Sequence, residues 1–555
     1  MTKPVRIIFL GGLGDIGRNC ACIEVDDRIM ILDCGLLFPD ASEMPGVDLV
    51  LPDFTYLKEN AHRIEGAILT HAHEDHVGAL SYLLRDVSFP IYGSELSLGF
   101  AKHRIDEARL SDRTSYNVVF DNERRQIGPF EVEFIPVTHS VPHGFATAFH
   151  TPHGVILHSG DFKIDLTPID GRLTDLGRIG YIANQKGIKV LLCDSTNAEN
   201  EGYTPSEKTV GATLRKLFSE HDDKRIITAC FASHIHRVQQ IADAAIANGR
   251  VVATLGRSMA NNVALARKMG LLTIPDAALV DIEKVNEMDP RRVCIVSTGS
   301  QGEPMSALSK MANGDSNFVT VGDGDVVILS SHAIPGNEGS VNRVIDRLMR
   351  LGVEVVHSGI ADVHVSGHAR RGELAMLFNV AQPEWFVPVH GEYRHLWHNA
   401  QLAEEMGVDP EKIKISLDGD VLQLDENGLT KVGEVPAAYL YVDGIVGEMS
   451  EGVLRDRQML SEDGVVMVVL TVDVHAGKMV AGPEIITRGW VHAEEAESIL
   501  DEAAAVVRAD LEHSGALTPG ADITEVQRRA RKALGKFVSD RTKRRPMIVP
   551  VIMEV

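Results

Sequence analysis

Residues 67–69, Ala-Ile-Leu, run without a break into Thr70-His71-Ala72-His73-Glu74-Asp75-His76. The apolar triplet reads as the end of a buried strand, and the segment after it carries His71, His73, Asp75 and His76 within six positions. A strand end followed by a tight turn holds His71 and His73 (i, i+2) on one side. The turn then sends Asp75 and His76 toward a second point a few ångströms away. Nitrogen and oxygen donors crowded this closely rarely serve one ion, so the segment predicts two neighbouring metals. A loop rich in histidine by chance is the competing reading. The further donors that a two-metal site needs, all present downstream, argue against it.

Those donors follow three other strand-like runs. Thr138-His139-Ser140 comes after 131–136, Ser159-Gly160-Asp161 after 155–158, and His390-Gly391 after 385–389. Each places a side chain with a free lone pair just past a strand end, where a rigid scaffold fixes it while solvent still reaches it. One such histidine alone is an ordinary surface residue. Four such turns in one chain are a strong combination.

At 555 residues the chain has room for roughly three or four domain-sized units, and an apolar fraction of 44% lets each bury a core. No apolar run approaches the roughly 20 residues needed to cross a bilayer, and the N-terminal Val5-Arg6-Ile7-Ile8-Phe9-Leu10 is too short for a signal peptide. Cys20, Cys22, Cys34, Cys193, Cys230 and Cys294 lie in or beside strand-like segments with no CxxC pair, as expected of reduced thiols in a cytosol. Cys20 and Cys22 read as packing residues. A formal charge of −23 argues against broad nonspecific binding to nucleic acid. One stretch runs the other way: between Arg528 and Arg545 nine Lys/Arg residues face a single acid, Asp540. Such a run is ordinarily a solvated helix face, with an RNA or subunit contact as the sharper reading.

β-rich runs at 5–10, 20–25, 28–33, 67–70, 131–136, 146–150, 155–158 and 190–194 follow one another with hairpin-sized gaps, which implies mixed and antiparallel pairing. From about 206 helical stretches (206–220, 238–247, 259–269) alternate with strands (225–229, 251–254, 293–297, 326–330), the signature of an α/β unit on a parallel sheet. After 350 short strands return among histidine-rich turns. The expected organisation is a discontinuous metal-binding domain, 1–205 and 351–433, with an α/β domain inserted at 206–350. A linker at 434–465 and a small α+β domain at 466–555, with helices expected at 494–507 and 523–536, complete it.

Gly12-Leu13-Gly14-Asp15-Ile16-Gly17 fits GxGxxG, and Asp33 lies near the spacing of a ribose-binding acid. A dinucleotide site needs a helix to open at the third glycine. Here Cys20-Ala21-Cys22-Ile23-Glu24-Val25 follows, alternating and β-branched, so the glycines read as a strand-to-strand turn.

The set HxHxDH, a distant His, an Asp and a last His resembles the metallo-β-lactamase superfamily. Asp194-Ser195-Thr196-Asn197, Ser366-Gly367-His368-Ala369 and Val389-His390-Gly391 resemble its β-CASP group of nucleic-acid nucleases. Over essentially the whole chain the pattern is similar to the bacterial ribonuclease J family. The resemblance implies an α/β fold: a metallo-β-lactamase αββα sandwich, an inserted β-CASP α/β domain and a small α+β C-terminal domain. It implies two divalent ions, Zn2+ foremost with Mn2+ as the second choice. One would be held by His71, His73, His139 and Asp161, the other by Asp75, His76, Asp161 and His390, with Asp161 shared. Asp33 would orient a ligand histidine through its ring N–H. Asp75 and Asp161 would serve catalysis, and His368, oriented by Asp194, would give a proton to the departing 3′-oxygen. Ser233, His234, Ser331, His364, Ser366, Gly367 and His368 would contact single-stranded RNA, including a 5′-monophosphate end. The implied activity is 5′→3′ exonucleolytic hydrolysis with endonucleolytic cleavage as a second mode, in a cytoplasmic homodimer joined through the C-terminal domain. A histidine at 390 favours RNA over DNA, since DNA-directed relatives usually carry valine there. The competing expectations are a DNA nuclease, a small-substrate hydrolase of the same superfamily, and an RNA-binding subunit with a decayed site.

Overall fold

The computed structural model describes residues 3–39, 43–303, 305–334, 337–444, 447–491 and 496–555. Glu494, the expected start of a helix, lies outside the described residues. The chain divides into two compact units, Met1–Phe38 with Val50–Tyr439, and Pro39–Leu49 with Leu440–Val555.

Two sheets face each other in the first unit. One has eight strands in the order Gly428–Glu434, Asp420–Asp425, Val5–Gly11, Cys20–Val25, Arg28–Leu32, Ile64–Ile68, Ile91–Gly93, Tyr116–Val118. The other has six, in the order Trp385–Val389, Ile188–Asp194, Gly154–His158, Gly144–Thr151, Phe130–Val137, Glu123–Ile127. Alternate residues of both, among them Ile7, Ile23 and Ile68 from the first and Phe134, Ile156 and Leu192 from the second, form one shared core. The opposite face of the six-stranded sheet packs under the helices Leu176–Lys186, Arg371–Ala381 and Tyr393–Glu405. Pairing is mixed, as the hairpin-sized gaps predict: Val5–Gly11 and Cys20–Val25 are antiparallel, while Arg28–Leu32 and Ile64–Ile68 are parallel. The GxGxxG segment joins antiparallel neighbours and opens no helix.

Trp385–Val389 pairs in parallel with Ile188–Asp194, so the late histidine-rich segment adds to the sheet beside a strand that ends some 190 residues earlier in the chain. The intervening chain builds its own six-stranded sheet, ordered Leu279–Val280, Val251–Leu255, Val293–Ser297, Arg225–Ala229, Asp325–Leu329, Glu354–Val356, with every pair parallel. Its strands are buried on both faces, which explains their near-continuous apolar runs. Ile226 faces the helices Lys208–Glu220, Ile235–Ala247 and Arg257–Lys268, whereas Ile227 faces Ala307–Asn313 and Glu338–Arg350.

The second unit has a three-stranded sheet, Lys478–Arg488, Val465–Asp473, Met547–Glu554. Val466, Val468, Leu470 and Val472 pack against Val507, Leu511, Val526, Ala530, Leu534 and Val538 of the helices Ala496–His513 and Ile523–Thr542. The 434–465 segment, expected as a linker, contains the strand Leu440–Asp443 and the helix Glu451–Glu462. Leu454 is the one buried residue of that helix, so no apolar stripe announces it.

Candidate metal centre

The donor segment follows the C-terminal end of Ile64–Ile68, an interior strand of the eight-stranded sheet. Thr70 is fixed there by Asp33, whose Oδ1 accepts from the Thr70 amide and whose Oδ2 accepts from Thr70 Oγ1, both at 2.8 Å. A short helix, Glu74–Val77, begins immediately after His73. Its winding of about 100° per residue turns Asp75 and His76 away from His71 and His73, which is how one heptapeptide serves two points.

Around the first point, His71 Nε2 lies 3.0 Å and His139 Nε2 3.2 Å from His73 Nδ1. Asp161 Oδ2 is 3.6 Å from His71 Nε2 and 3.9 Å from His139 Nε2. Around the second, Asp161 Oδ2 is 3.3 Å from His76 Nε2 and 3.6 Å from His390 Nε2. Asp75 Oδ2 stands 3.6 Å from the former and 3.3 Å from the latter. Within each four-residue set the donor atoms all fall within 4.8 Å of one another. One carboxylate oxygen, Asp161 Oδ2, is common to both.

The outer ring nitrogens decide which way the lone pairs point. His139 Nδ1 donates to the Gly367 carbonyl at 2.8 Å, and His76 Nδ1 donates to Asp33 Oδ2 at 2.8 Å. The Thr70 hydroxyl proton is already committed to Asp33, so His71 Nδ1 donates to Thr70 Oγ1 at 3.1 Å. With those tautomers fixed, the inner nitrogens of His71 and His139 carry bare lone pairs; at His76 burial opposes charge, but Asp161, Asp75 and Asp33 outweigh it and hold the ring well above its ordinary range. Burial, reinforced by the neighbouring imidazoles, holds His71 and His139 well below the ordinary histidine range, and burial takes His73 down to about 4. Neutral imidazoles converging on carboxylates are the donor set of a divalent cation. At the second point burial opposes charge on His390, but Asp161, Asp194 and Asp75 outweigh it and push the ring up to about 10. A cation bound at this point would have to displace that proton.

Asp33 and His390 both adopt positive φ, 60° and 56°, a conformation uncommon for residues with a side chain. In each case it is the residue at or just past a strand end whose side chain turns into the site. Asp194 Oδ2 pairs with His368 Nδ1 at 2.7 Å, and Asp194 Oδ1 lies 3.5 Å from His390 Nδ1. Burial opposes charge on His368, and Asp194 overcomes it, raising the ring above its ordinary value.

Two residues at the centre were given no role from sequence. Thr196 Oγ1 sits 2.6 Å from His390 Nδ1; the parallel register Asp194↔Val389 brings the two turns side by side. Asn19, hidden in the tail of the glycine motif, clamps the donor loop through its backbone N–H and its side-chain amide, both at 3.0 Å from the Asp75 carbonyl, and that amide also reaches within 3.1 Å of His76 Nε2.

The residues expected at RNA divide. Ser366 Oγ accepts from Asn197 Nδ2 at 2.8 Å, and Gly367 sits so close to His139 that a Cβ there would lie 2.6 Å from its ring. Half-buried His364 stacks on His332, and Ser233 is half-buried just ahead of the helix Ile235–Ala247. His234 and Ser331, also expected at RNA, are buried. His234 is 1% exposed, caps that helix by accepting from the Arg237 N–H, and faces Glu207, while Ser331 bonds the Ser300 carbonyl.

Four family models match the chain: metallo-beta-lactamase superfamily over 13–193, ribonuclease J beta-CASP domain over 223–348, Zn-dependent metallo-hydrolase RNA specificity domain over 352–415, and ribonuclease J C-terminal domain over 452–555. A ribonuclease J of Mycolicibacterium smegmatis is 42% identical over 99% of this chain and 97% of its own length. Ribonuclease J2 of Bacillus subtilis is 38% identical over 100% and 99%. The chain belongs to the ribonuclease J family. A crystal structure of a protein of unknown function from Enterococcus faecalis V583 shares the fold, with a TM-score of 0.53 at 16% identity, over 78% of this chain and 100% of that one. Membership of this family implies divalent metal ions, and the two imidazole–carboxylate sets are groups of the described residues that could hold them. Among the described residues no helix is long and apolar enough to cross a membrane.

The Asp33–His76 hydrogen bond gives a direct test of how the ligands are oriented. Asp33→Asn exchanges an acceptor for an amide that cannot fix the His76 tautomer as firmly. Metal affinity is expected to drop by about 10–100-fold in a chelator-competition titration; an unchanged affinity would leave Asp33 without the orienting role.

Proposed function

We propose that this metal-dependent ribonuclease degrades single-stranded RNA 5′→3′ from 5′-monophosphate ends and also cleaves internally. The observation that carries the reading is the sharing of Asp161 Oδ2 between two complete donor sets. His71, His73 and His139 with Asp161 would hold one ion, and Asp75, His76 and His390 with Asp161 the other. Zinc suits the histidine-rich first set, and manganese is the alternative. Divalent ions held by these residues would supply an activated water and would offset charge that builds on the phosphoryl oxygens. The chain's own contribution is orientation and proton supply. Asp33, Thr70, Gly367 and Thr196 fix the rings from behind. Asp194 holds His368 by Nδ1 and leaves Nε2 for the 3′-oxygen that departs when the phosphodiester breaks. The products are a 5′-phosphate and a 3′-hydroxyl.

All six cysteines are free and buried, which supports a cytoplasmic setting. A homodimer through the second unit is supported by the open face of its sheet, where Val465, Met467 and Val469 alternate with the buried set, and Val551 and Met553 are exposed.

The deciding assay offers the metal-loaded protein 5′-monophosphate RNA, the matched DNA and a generic ester. Stepwise release of mononucleotides from RNA alone is expected, and Asp75→Ala should remove it. Equal turnover of DNA, or hydrolysis of the ester alone, would overturn the substrate assignment.

A further inference from the structure

The helix Ile523–Thr542 buries Val526, Ala530, Leu534 and Val538 against its sheet. At 3.6 residues per turn the opposite side carries Arg528, Lys532 and Lys536, flanked by Arg531, and all four are exposed. The same row ends at exposed Asp540, and Lys543, Arg544 and Arg545, also exposed, lie just past the helix end. Arg528 and Arg529 share one carboxylate, Glu525, and Arg541 approaches Glu502 at 3.9 Å. Arg531, Lys532, Lys536, Lys543 and Arg545 form no ion pair with any described residue.

Solubility does not require this arrangement. A chain with 78 acidic and 55 basic residues has carboxylates in excess, and a solvated face is ordinarily built from both signs. Like charges spaced i, i+4, as in Arg528, Lys532 and Lys536, cost helix stability. The helix dipole accounts for cations at the C-terminal end, not for those in the middle turns. A row of cations about 6 Å apart along the axis suits a polyanion whose phosphates recur at comparable spacing.

We propose that this face of the second unit holds the ribose-phosphate backbone of single-stranded RNA, independently of sequence and in addition to the RNA engaged at the metal centre. The inference rests on the ribonuclease reading above. It makes Arg531, Lys532 and Lys536 phosphate contacts, whose contribution is counterion release and is therefore strongly salt-dependent.

The test uses the full chain carrying Asp75→Ala, so that RNA is bound and not consumed. A 3′-fluorescein RNA of about 40 nucleotides without secondary structure is titrated by anisotropy across roughly 50–200 mM KCl. Adding R531Q/K532Q/K536Q is expected to weaken binding about tenfold at the lowest salt and to make the slope of log K against log[KCl] shallower by about 2, close to 0.7 for each of the lost contacts. The charge-keeping R531K/K532R/K536R chain should retain both. In the otherwise unaltered enzyme, the Gln variant should degrade a hexanucleotide at the parent rate. An unchanged slope overturns the proposal, and if sedimentation then shows a changed mass the face is a contact between copies instead. Failure of the parent to bind or cut any RNA would refute the ribonuclease reading itself, an outcome distinct from an α-helical face that is indifferent to salt.

Discussion

Asp161→Ala is expected to abolish RNA cleavage and to empty both metal positions together. No other side chain in the centre belongs to both donor sets. Its Oδ2 lies 3.3 Å from His76 Nε2, 3.6 Å from His71 Nε2 and His390 Nε2, and 3.9 Å from His139 Nε2. Removing it takes from each set its shared anion and leaves the first set with three neutral imidazoles. Metal assistance at a phosphoryl centre supplies several kcal/mol, and about 4 kcal/mol corresponds to roughly 10³-fold in rate. A fall of at least that size is therefore predicted. Elemental analysis of the dialysed protein should show neither ion retained, whereas Asp75→Ala should keep the first. An Asp161→Ala chain that still binds two ions, or retains activity within tenfold of the parent, would show that the sets are independent.

Gly35→Ala should be almost as damaging, though residue 35 bears no donor. A Cβ built on Gly35 would stand 1.5 Å from the Asp75 carbonyl oxygen, 2.0 Å from the Asp75 carbonyl carbon and 2.6 Å from the His76 amide nitrogen. These are backbone atoms of the helix that carries two ligands, so no side chain can swing aside. The same helix is gripped by Cys34 N–H on the His76 carbonyl at 2.7 Å and Leu36 N–H on the Glu74 carbonyl at 3.1 Å. One methyl group must push the whole helix away from the 33–36 loop or break those bonds. A cost of at least about 3 kcal/mol is expected, the upper end for overpacking, together with a loss of metal affinity as Asp75 and His76 move. Thermal unfolding and chelator competition measure the two effects. Gly433→Ala is the control, since nothing lies within 4 Å of its Cβ position. Equal behaviour of the two variants would mean that the loop yields easily and does not position the ligands.

The clustered His and Asp residues were legible from sequence because they follow strands that each have an apolar signature: His390 comes one residue past its strand, His139 two, and Asp161 and His71 three. His71 to His76 need nothing beyond local geometry, and Asp33 is visible as an acid at the end of 28–32. What supports the donors is long-range and was not legible. Asn19 reaches Asp75, and Gly35 admits its carbonyl, only once the antiparallel and parallel neighbours of Cys20–Val25 and Arg28–Leu32 are in register. Thr196 meets His390 through a sheet pairing across some 190 residues of chain. The burial of His234 has the same origin. A Ser-His-Ile-His turn after a strand looks like a donor-rich rim, but the helix begins at Ile235 and folds His234 inward as its cap. The helix Glu451–Glu462 escaped notice because its sequence lacks the 3.6-residue apolar repeat on which such recognition depends.

The central claim, two cations sharing one carboxylate oxygen, is tested most directly by anomalous scattering from crystals grown with the metal-loaded protein. Two peaks per chain are predicted, one among His71, His73, His139 and Asp161, the other among Asp75, His76, Asp161 and His390, with Asp161 bonded to both. A single peak in an active enzyme, or two peaks with Asp161 turned away from either, would contradict the account.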